Sequence, residues 1–316
     1  MLESIGSPVF YFSFSVLVLV LLAVDFMALK VQGSHKVSIK EAAAWSAVWI
    51  AVALIFCGGL WCHLDAKYGT GLANRKALEF LTGYLIEKSL AVDNVFIWIT
   101  LFNFFAVPPA FQKRVLLYGV LGAIVMRAVL IFIGAMLLAK FHWILYLFGL
   151  FLVLTGVKML VFANQEPNLE QNPLLRWMRG HMKITNQYHG EQFFVLQQGV
   201  RYATPMFVVL VLVEATDLIF AVDSIPAIFA VTNDPFIVFT SNVFAILGLR
   251  AMYFLLADMA QRFHLLKYGL AVILMFIGLK MLLLDIYKIP VSAALVIVGL
   301  ILALSVAASL LTSRSK

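Results

Sequence analysis

Nine apolar segments of about 20 residues divide this sequence and restrict what the chain can fold into. They lie at 9–29, 42–62, 78–102, 115–138, 143–162, 204–231, 236–257, 268–286 and 289–311. Only α-helices and closed barrels satisfy their backbone hydrogen bonds inside a bilayer. Hydrophobic residues make up 63% of the 316 residues and charged residues 12%, whereas soluble domains are about half apolar and about a quarter charged. The sequence therefore predicts an all-α polytopic membrane protein of about nine transmembrane helices, with 1–316 forming a single transporter domain.

Basic residues are unevenly distributed between the segments that connect these helices. With the amino terminus outside, thirteen Lys and Arg residues fall on inner segments and five on outer ones. Because cytoplasmic loops carry the excess of Lys and Arg, the sequence predicts an outside amino terminus, a cytoplasmic carboxyl terminus and a cytoplasmic loop 163–203. Such scattered charge explains the net charge of +7 without a nucleic-acid partner. Residues 1–30 lack a basic n-region and a cleavage site, so they are predicted to remain as a helix.

The sequence also contains an internal repeat. Residues 141–160 align with 263–282 without gaps and match at eight of twenty positions, and Arg127 upstream corresponds to Arg250. Chance similarity between apolar helices is the alternative, but polar residues that match in the same order disfavour it.

The repeat defines two units of three predicted helices each, at about 78–162 and 204–286. Adjacent units with an odd number of spans must cross the membrane in opposite orientations. The sequence therefore predicts a 3+3 inverted repeat, which is typical of secondary transporters whose sites lie near the bilayer midplane between the units.

Acidic residues inside the predicted helices are the candidate functional residues. Six lie there: Asp25, Glu87, Asp93, Glu214, Asp217 and Asp223. A charge at the bilayer centre costs about 2.5–3.5 kcal/mol or more, so such residues usually serve a function. The repeat aligns the segment Glu87–Asp93 with the segment Asp217–Asp223. We therefore expect the two acidic helices to face each other and to build one ion site.

Helical spacing indicates which of these residues share a face. Glu87 lies seven residues before Asn94, and Asp217 lies seven residues before Ser224, so each pair shares a face of its helix. Glu214 lies three residues before Asp217 and shares that face as well.

Asp93 and Asp223 lie six residues beyond the first carboxylates, about 120° away on an unbroken helix. Pro226 removes one backbone hydrogen bond, and we expect the helix to break there. A break would free a carbonyl oxygen for an ion and would turn Asp223 toward the other carboxylates.

The ligand types favour a hard divalent cation. Carboxylate, amide and hydroxyl oxygens suit Mn²⁺, Mg²⁺ or Ca²⁺, whereas Zn²⁺ and Cu⁺ usually recruit Cys or His. The predicted metal ligands are Glu87, Asp93, Asn94, Glu214, Asp217, Asp223 and Ser224, with Asp25 as an additional candidate. These residues alone do not distinguish between the hard cations.

The alternative is that the carboxylates only pair with basic residues embedded in the same helices. Those basic residues are Lys88, Arg127, Lys158, Arg250 and Lys280. Arg127 and Arg250 are predicted to be ion-pair partners or gate elements. The sequence shows no nucleotide loop, nucleophile motif or redox motif. Cys57 and Cys62 are interpreted as apolar fillers, with a disulfide between them as the alternative. We therefore expect neither an enzyme nor a bound cofactor.

Two runs carry a resemblance to a known family: FLTGYLIEKSLAVDNVF at 80–96 and LVEATDLIFAVDSIPAIFAVTNDPFIVFTSNVFAILGLRAMYFLL at 212–256. They resemble the TerC family of bacterial integral membrane proteins, and most of all its Alx-like branch. The resemblance implies an inner-membrane protein connected with manganese homeostasis, alkaline pH and tellurium resistance. It also implies kinship with a transporter superfamily that includes lysine exporters. The acidic motif residues of the family correspond here to Glu87, Asp93, Glu214, Asp217 and Asp223.

These observations together predict a transporter of Mn²⁺ in the bacterial inner membrane, exporting the ion from the cytoplasm with protons as a candidate counter-ion. The lipid bilayer and a divalent metal ion are the expected partners. One rival is an exporter of a small organic cation such as a basic amino acid. The other is a non-transporting membrane scaffold in stress or tellurium resistance that works through loop 163–203.

Overall fold

Helices dominate the computed structural model, which describes residues 4–32, 38–162, 169–257 and 265–314. The α-helices of the described part are α1 (Pro8–Gln32), α2 (Ile39–Tyr68), α3 (Thr70–Phe104), α4 (Pro109–Lys140), α5 (Ile144–Val161), α6 (Pro173–His181), α7 (Pro205–Phe229), α8 (Pro235–Leu247), α9 (Leu249–Ala257), α10 (Leu266–Leu282) and α11 (Val291–Arg314). A short 3₁₀ helix (Leu169–Gln171) and strands β1 (Phe194–Gln197) and β2 (Val200–Ala203) lie between α5 and α7. Proline occupies the first turn of α4, α6, α7 and α8, where its missing N–H has no helical partner to lose.

The helices have the lengths and surfaces of a multi-pass membrane protein. Each of the nine predicted segments coincides largely with one helix or, for 236–257, with the bent pair α8–α9, although segment 268–286 runs four residues past the end of α10. In the described part, six helices are long and apolar enough to cross a bilayer, or seven if α8–α9 is one span. The all-α membrane fold is therefore confirmed. The number nine stays a prediction, because α3 contains several charged residues and α10 has only 17 residues.

Surface apolar side chains agree with a lipid environment. On α11, Val296, Leu300 and Leu304 are 59%, 56% and 68% exposed and follow one another at intervals of four residues. A stripe of this kind would be costly in water and is ordinary where a helix faces lipid.

Helices α5 and α10, which carry the aligned segments of the repeat, pack directly against each other. The backbone at Gly149 contacts the Gly278–Met281 turn, whereas Gly156, one heptad later, contacts the earlier Ala271–Met275 turn. The two helices therefore run antiparallel, as an inverted repeat requires. Glycine allows this close approach because a membrane interface gains its stability from backbone and side-chain packing. The repeat as a whole stays a prediction.

Gly278→Ala is expected to lower the free energy of unfolding by about 1–3 kcal/mol. An added Cβ would lie 2.6 Å from the carbonyl oxygen of Gly149, which is backbone and cannot turn away. Gly58→Ala on α2 is the control, since nothing lies within 4 Å of its added Cβ and alanine favours the helix by about 1 kcal/mol. Thermal unfolding in detergent measures both, and equal stability of Gly278→Ala and wild type would contradict the close packing.

Pro226 does not break its helix, so the predicted break in the sixth segment is wrong. Helix α7 continues through Pro226 to Phe229. Pro226 removes only one backbone bond and lies within a turn of the helix end, where little helix remains to be kinked. The bend lies instead at Gly248, where α8 and α9 meet at 41°. Near this bend Lys88 Nζ donates a hydrogen bond to the carbonyl of Ala245 at 3.2 Å.

The described part of loop 163–203 is a folded cap rather than an extended connection. Strands β1 and β2 form an antiparallel hairpin whose two turn residues, Gln198 and Gly199, have φ of 50° and 77°, as a type I′ turn requires. The cap docks on the membrane helices, because Tyr188 donates to the carbonyl of Phe105 at 2.6 Å and Glu191 pairs with Arg114 at 3.3 Å.

A buried polar network closes the opposite end of the bundle. We call it the Asp234 network; it consists of Ser4, Ile5, Lys76, Glu79, Thr232 and Asp234. Asp234 caps α8 and accepts hydrogen bonds from Ser4 Oγ at 2.9 Å and from the Ile5 backbone N–H at 3.0 Å. Lys76 Nζ lies 3.1 Å from Asp234 Oδ2 and 3.0 Å from Glu79 Oε2. The network therefore attaches the amino-terminal segment to α3 and α8.

Candidate functional site

Arg127 on α4 is the centre of a buried polar cluster. Its side chain is 1% exposed, and it donates from Nε to Asp217 Oδ2 at 3.1 Å and from Nη2 to Asp217 Oδ1 at 2.8 Å. Its Nη1 pairs with Glu87 and donates to Ser224 Oγ at 3.4 Å. Asn94 Nδ2 donates to Asp217 Oδ1 at 3.0 Å. We call these five residues the Arg127 cluster.

The predicted helical faces account for the composition of this cluster. Glu87 and Asn94 come from one face of α3, while Asp217 and Ser224 come from one face of α7. Because α3 and α7 pack together and α4 packs against α7, an arginine of α4 reaches both faces. The bidentate contact to Asp217 is the planar geometry in which guanidinium binds a carboxylate most strongly.

Two acceptors in the Arg127 cluster have no donor within the described part of the chain. Glu87 Oε2 and Asn94 Oδ1 have no hydrogen-bond partner among the residues that the structure describes, and both residues are buried, at 0% and 1% exposure. A buried acceptor without a donor costs about 1–3 kcal/mol, and in native structures it often marks a place for an ion or a water molecule. The cluster therefore has unused oxygen ligands beside a carboxylate that is already paired.

Asp93 and Asp223 form a separate pair. Asp93 is under the electrostatic influence of Asp223 and Lys267, and Asp223 under that of Lys158. Thr155 Oγ1 on α5 donates to Asp223 Oδ1 at 3.2 Å. Because α3 and α7 are unbroken helices here, this pair lies on a different face from Glu87 and Asp217.

Thr155 was not predicted from the sequence, although a signal was present. It stands in the aligned repeat segment where the second unit has Ile277. When one unit has a polar residue where the other has an apolar one, the polar residue indicates a function or a contact that only the first unit has.

Glu214 lies one turn before Asp217 and has no hydrogen bond or ion pair with any residue of the described ranges. Its carboxylate occupies the space that a Cβ at Gly122 on α4 would fill. A larger residue at 122 would therefore displace the Glu214 carboxylate. This makes Gly122 a second residue that the sequence did not single out.

Asp25 and Arg250 pair with each other, and both are buried. Arg250 is the repeat counterpart of Arg127, yet it binds an aspartate of α1 and not the carboxylates of α3 or α7. The two repeat units are therefore not equivalent at their arginines.

The carboxylates predicted as metal ligands are thus distributed over several positions. Glu87 and Asp217 meet at Arg127 together with Asn94 and Ser224, whereas Asp93 and Asp223 have no contact with Arg127 among the described hydrogen bonds and ion pairs. Glu214 lies against Gly122, and Asp25 pairs with Arg250. Among the residues that the structure describes, no three His, Cys, Asp or Glu side chains form a group that could hold a metal ion. Which of these residues bind a metal stays a prediction.

Comparisons with known proteins identify the family. The model of the integral membrane protein TerC family matches residues 72–316, which include every residue of the Arg127 cluster. Proteins named "Putative membrane-bound redox modulator Alx" are similar over nearly their full length. Those of Shigella flexneri and Escherichia coli K12 are both 55% identical over 94% of this chain and 93% and 92% of their own. That of Photorhabdus laumondii is 53% identical over 100% of this chain and 98% of its own. No solved structure matches. The chain belongs to the TerC family of integral membrane proteins.

Proposed function

We propose that this protein transports a divalent metal cation, Mn²⁺ in the first place, from the cytoplasm across the bacterial inner membrane. The observation that carries the proposal is the meeting of Glu87 and Asp217, which are repeat-related carboxylates of two helices, in a fully buried cluster. A membrane protein has little reason to bury two carboxylates and leave acceptors unpaired unless a cation passes there. In this proposal the amino terminus is outside and the carboxyl terminus is cytoplasmic.

The oxygen ligands support a hard cation. Carboxylate, amide and hydroxyl groups line the Arg127 cluster, and such ligands suit Mn²⁺, Mg²⁺ and Ca²⁺. No resident cofactor and no covalent catalysis are part of the proposal, because the cluster contains no nucleophile paired with a base.

The word redox in the relatives' name has no counterpart in the thiols of this chain. Cys57 and Cys62 are both free. Five residues apart on a continuous helix, their Cα atoms are separated by about 9 Å, which is too far for a disulfide. We propose that a redox phenotype of such a protein would follow from metal content and not from these cysteines.

Asp223→Asn is expected to abolish Mn²⁺ uptake into inverted vesicles while the protein inserts normally into the membrane. The substitution removes one charge of the Asp93–Asp223 pair and keeps the size of the side chain. Asp285→Asn is the control, because Asp285 is exposed and contacts only Tyr146 among the described residues. Unimpaired Mn²⁺ flux through Asp223→Asn would refute the role of this pair.

Proton coupling is a separate hypothesis with its own measurement. A carboxylate must be deprotonated to bind a metal, so metal release and proton uptake at the same oxygen are linked. Mn²⁺ flux should then change the internal pH of the vesicles in step with the metal. A flux that ignores an imposed proton gradient would identify a uniporter.

A small organic cation such as a basic amino acid is the second candidate, and one observation favours it. The Arg127 cluster already holds a guanidinium group between two carboxylates, so a substrate guanidinium or ammonium could use the same contacts. Competition separates the two functions. Mn²⁺ uptake that excess lysine or arginine leaves unchanged would support the metal, whereas uptake of labelled lysine or arginine without uptake of Mn²⁺ would support the amino acid.

A further inference from the structure

We propose that Arg127 is a built-in competitor of the transported cation. Its guanidinium occupies the ligands at Glu87, Asp217 and Ser224 while the site is empty, and an entering cation must displace it. This inference rests on the proposed function and deepens it, because it says how the same site releases its ion.

The contacts of Arg127 are those that a bound cation would make. The guanidinium touches both repeat-related carboxylates and the Ser224 hydroxyl, which are three of the predicted metal ligands. The guanidinium of arginine is a positively charged group with hydrogen-bond donors only, so it satisfies these oxygens in the way a metal ion would. A divalent cation beside it would meet a like charge at short distance in a poorly screening interior.

The charge count points the same way. Glu87 and Asp217 contribute two negative charges and Arg127 one positive charge, so the cluster has a net charge of −1 (−2 + 1) while Arg127 is in place. A divalent cation is neutralised only when the guanidinium has moved away. Binding of the cation and retention of Arg127 are therefore alternatives.

Glu214 offers the displaced guanidinium a new partner. It lies one turn from Asp217 on the same face of α7, and its carboxylate lies against α4 at Gly122. Side chains on a helix lean toward its amino terminus, which for Arg127 is the direction of Gly122. A change of rotamer would thus move the guanidinium from Asp217 toward Glu214. This assigns a role to a carboxylate that has no counterpart in the other repeat unit.

Only one such competitor can act, because Arg250 is engaged elsewhere. The repeat counterpart of Arg127 is held by Asp25 of α1. The guanidinium of Arg127 therefore leaves the site when the metal ion binds, and it returns when the metal ion leaves. An exchange of this kind prevents a buried pair of carboxylates from holding the metal too tightly to release it.

Arg127→Gln tests the proposal in the full-length purified protein, with Mn²⁺ as the probe. Removal of the internal charge should lower the dissociation constant for Mn²⁺ at least about tenfold. It should also lower the maximal flux into vesicles, because release becomes slow. Arg114→Gln is the control on the same helix, since its ion pair with Glu191 lies in the cap; its Mn²⁺ affinity should equal that of wild type.

Chemical competition gives a second readout. In Arg127→Ala, free guanidinium ion should compete with Mn²⁺, because the vacated space fits it, whereas in wild type it should have no effect at the same concentration. If the neutral variants do not fold, Arg127→Lys keeps the charge but loses the bidentate contact, and it should bind Mn²⁺ more tightly than wild type.

The outcomes separate this inference from the function on which it rests. Absence of Mn²⁺ binding in both wild type and Arg127→Gln would refute metal transport itself. Mn²⁺ binding to wild type together with equal or weaker binding to Arg127→Gln, or to Arg127→Lys where only that variant folds, would overturn the displacement of Arg127 and leave the proposed function standing.

Discussion

Asp217→Asn is expected to lower Mn²⁺ flux at least about a hundredfold, while the chain still inserts into the membrane. Asp217 accepts both hydrogen bonds of the bidentate contact with Arg127 and a third from Asn94. A hundredfold loss corresponds to about 2.8 kcal/mol of cation binding, since about 1.4 kcal/mol is a tenfold change in an equilibrium constant. With asparagine at 217, Glu87 and Arg127 cancel, and the cluster has no net negative charge left for a divalent ion.

The measurement is ⁵⁴Mn²⁺ uptake into inverted vesicles, normalised to the amount of inserted protein. Glu191→Gln is the matched control, because it removes a carboxylate paired with an arginine in the cap, where Glu191 is 44% exposed. Its flux should equal that of wild type. Flux through Asp217→Asn within about twofold of wild type would contradict a central role of the Arg127 cluster in transport.

Sequence patterns predicted the faces of the acidic helices well. The seven-residue spacings from Glu87 to Asn94 and from Asp217 to Ser224 placed four polar residues on two helix faces, and the structure brings these faces together. Hydropathy located the helices. Both inferences succeed because they depend only on residues that lie close together in the sequence. The partner of Arg127 does not follow from periodicity, because it depends on which helix packs against α4.

Tertiary packing also explains where the sequence was misleading. Arg127 and Arg250 correspond in the repeat and each forms an ion pair, but the partner of Arg250 is Asp25 of α1, a helix that lies outside both repeat units. Pro226 suggested a broken helix, but its position near the end of α7 makes the break unnecessary. The actual bend at Gly248 lies where Lys88 of a neighbouring helix donates to a backbone carbonyl.

For the cap formed by 169–203 as well, the sequence predicted only part of the structure. Gln198 and Gly199 form the turn between its two strands, but the length and polarity of the segment predicted only a loop. Its docking through Tyr188 and Glu191 means that it forms part of the fold around the ends of α3 and α4. A deletion of this segment would therefore disturb the membrane helices as well, so point substitutions such as Glu191→Gln test a scaffold role more cleanly.

Asp234→Ala should have the largest effect on stability, lowering the free energy of unfolding by about 3–5 kcal/mol. Asp234 is 2% exposed, and its two oxygens serve Ser4, Ile5, Lys76 and the Phe236 backbone N–H. Alanine removes the cap of α8, which alone is worth about 1 kcal/mol. It also leaves the buried ammonium of Lys76 with Glu79 as its remaining partner among the described residues.

Asp234→Asn separates the contribution of the helix cap from that of the negative charge beside Lys76. Asparagine caps a helix as well as aspartate and can still accept a hydrogen bond from Ser4, but it lacks the charge that faces Lys76. Its stability in thermal unfolding should therefore fall between those of wild type and Asp234→Ala. A loss below about 1 kcal/mol for the alanine variant would be an ordinary surface effect and would contradict a structural role of the Asp234 network. Because this network shares no residue with the Arg127 cluster, Asp234→Asn should retain Mn²⁺ binding, whereas Asp217→Asn should lose it.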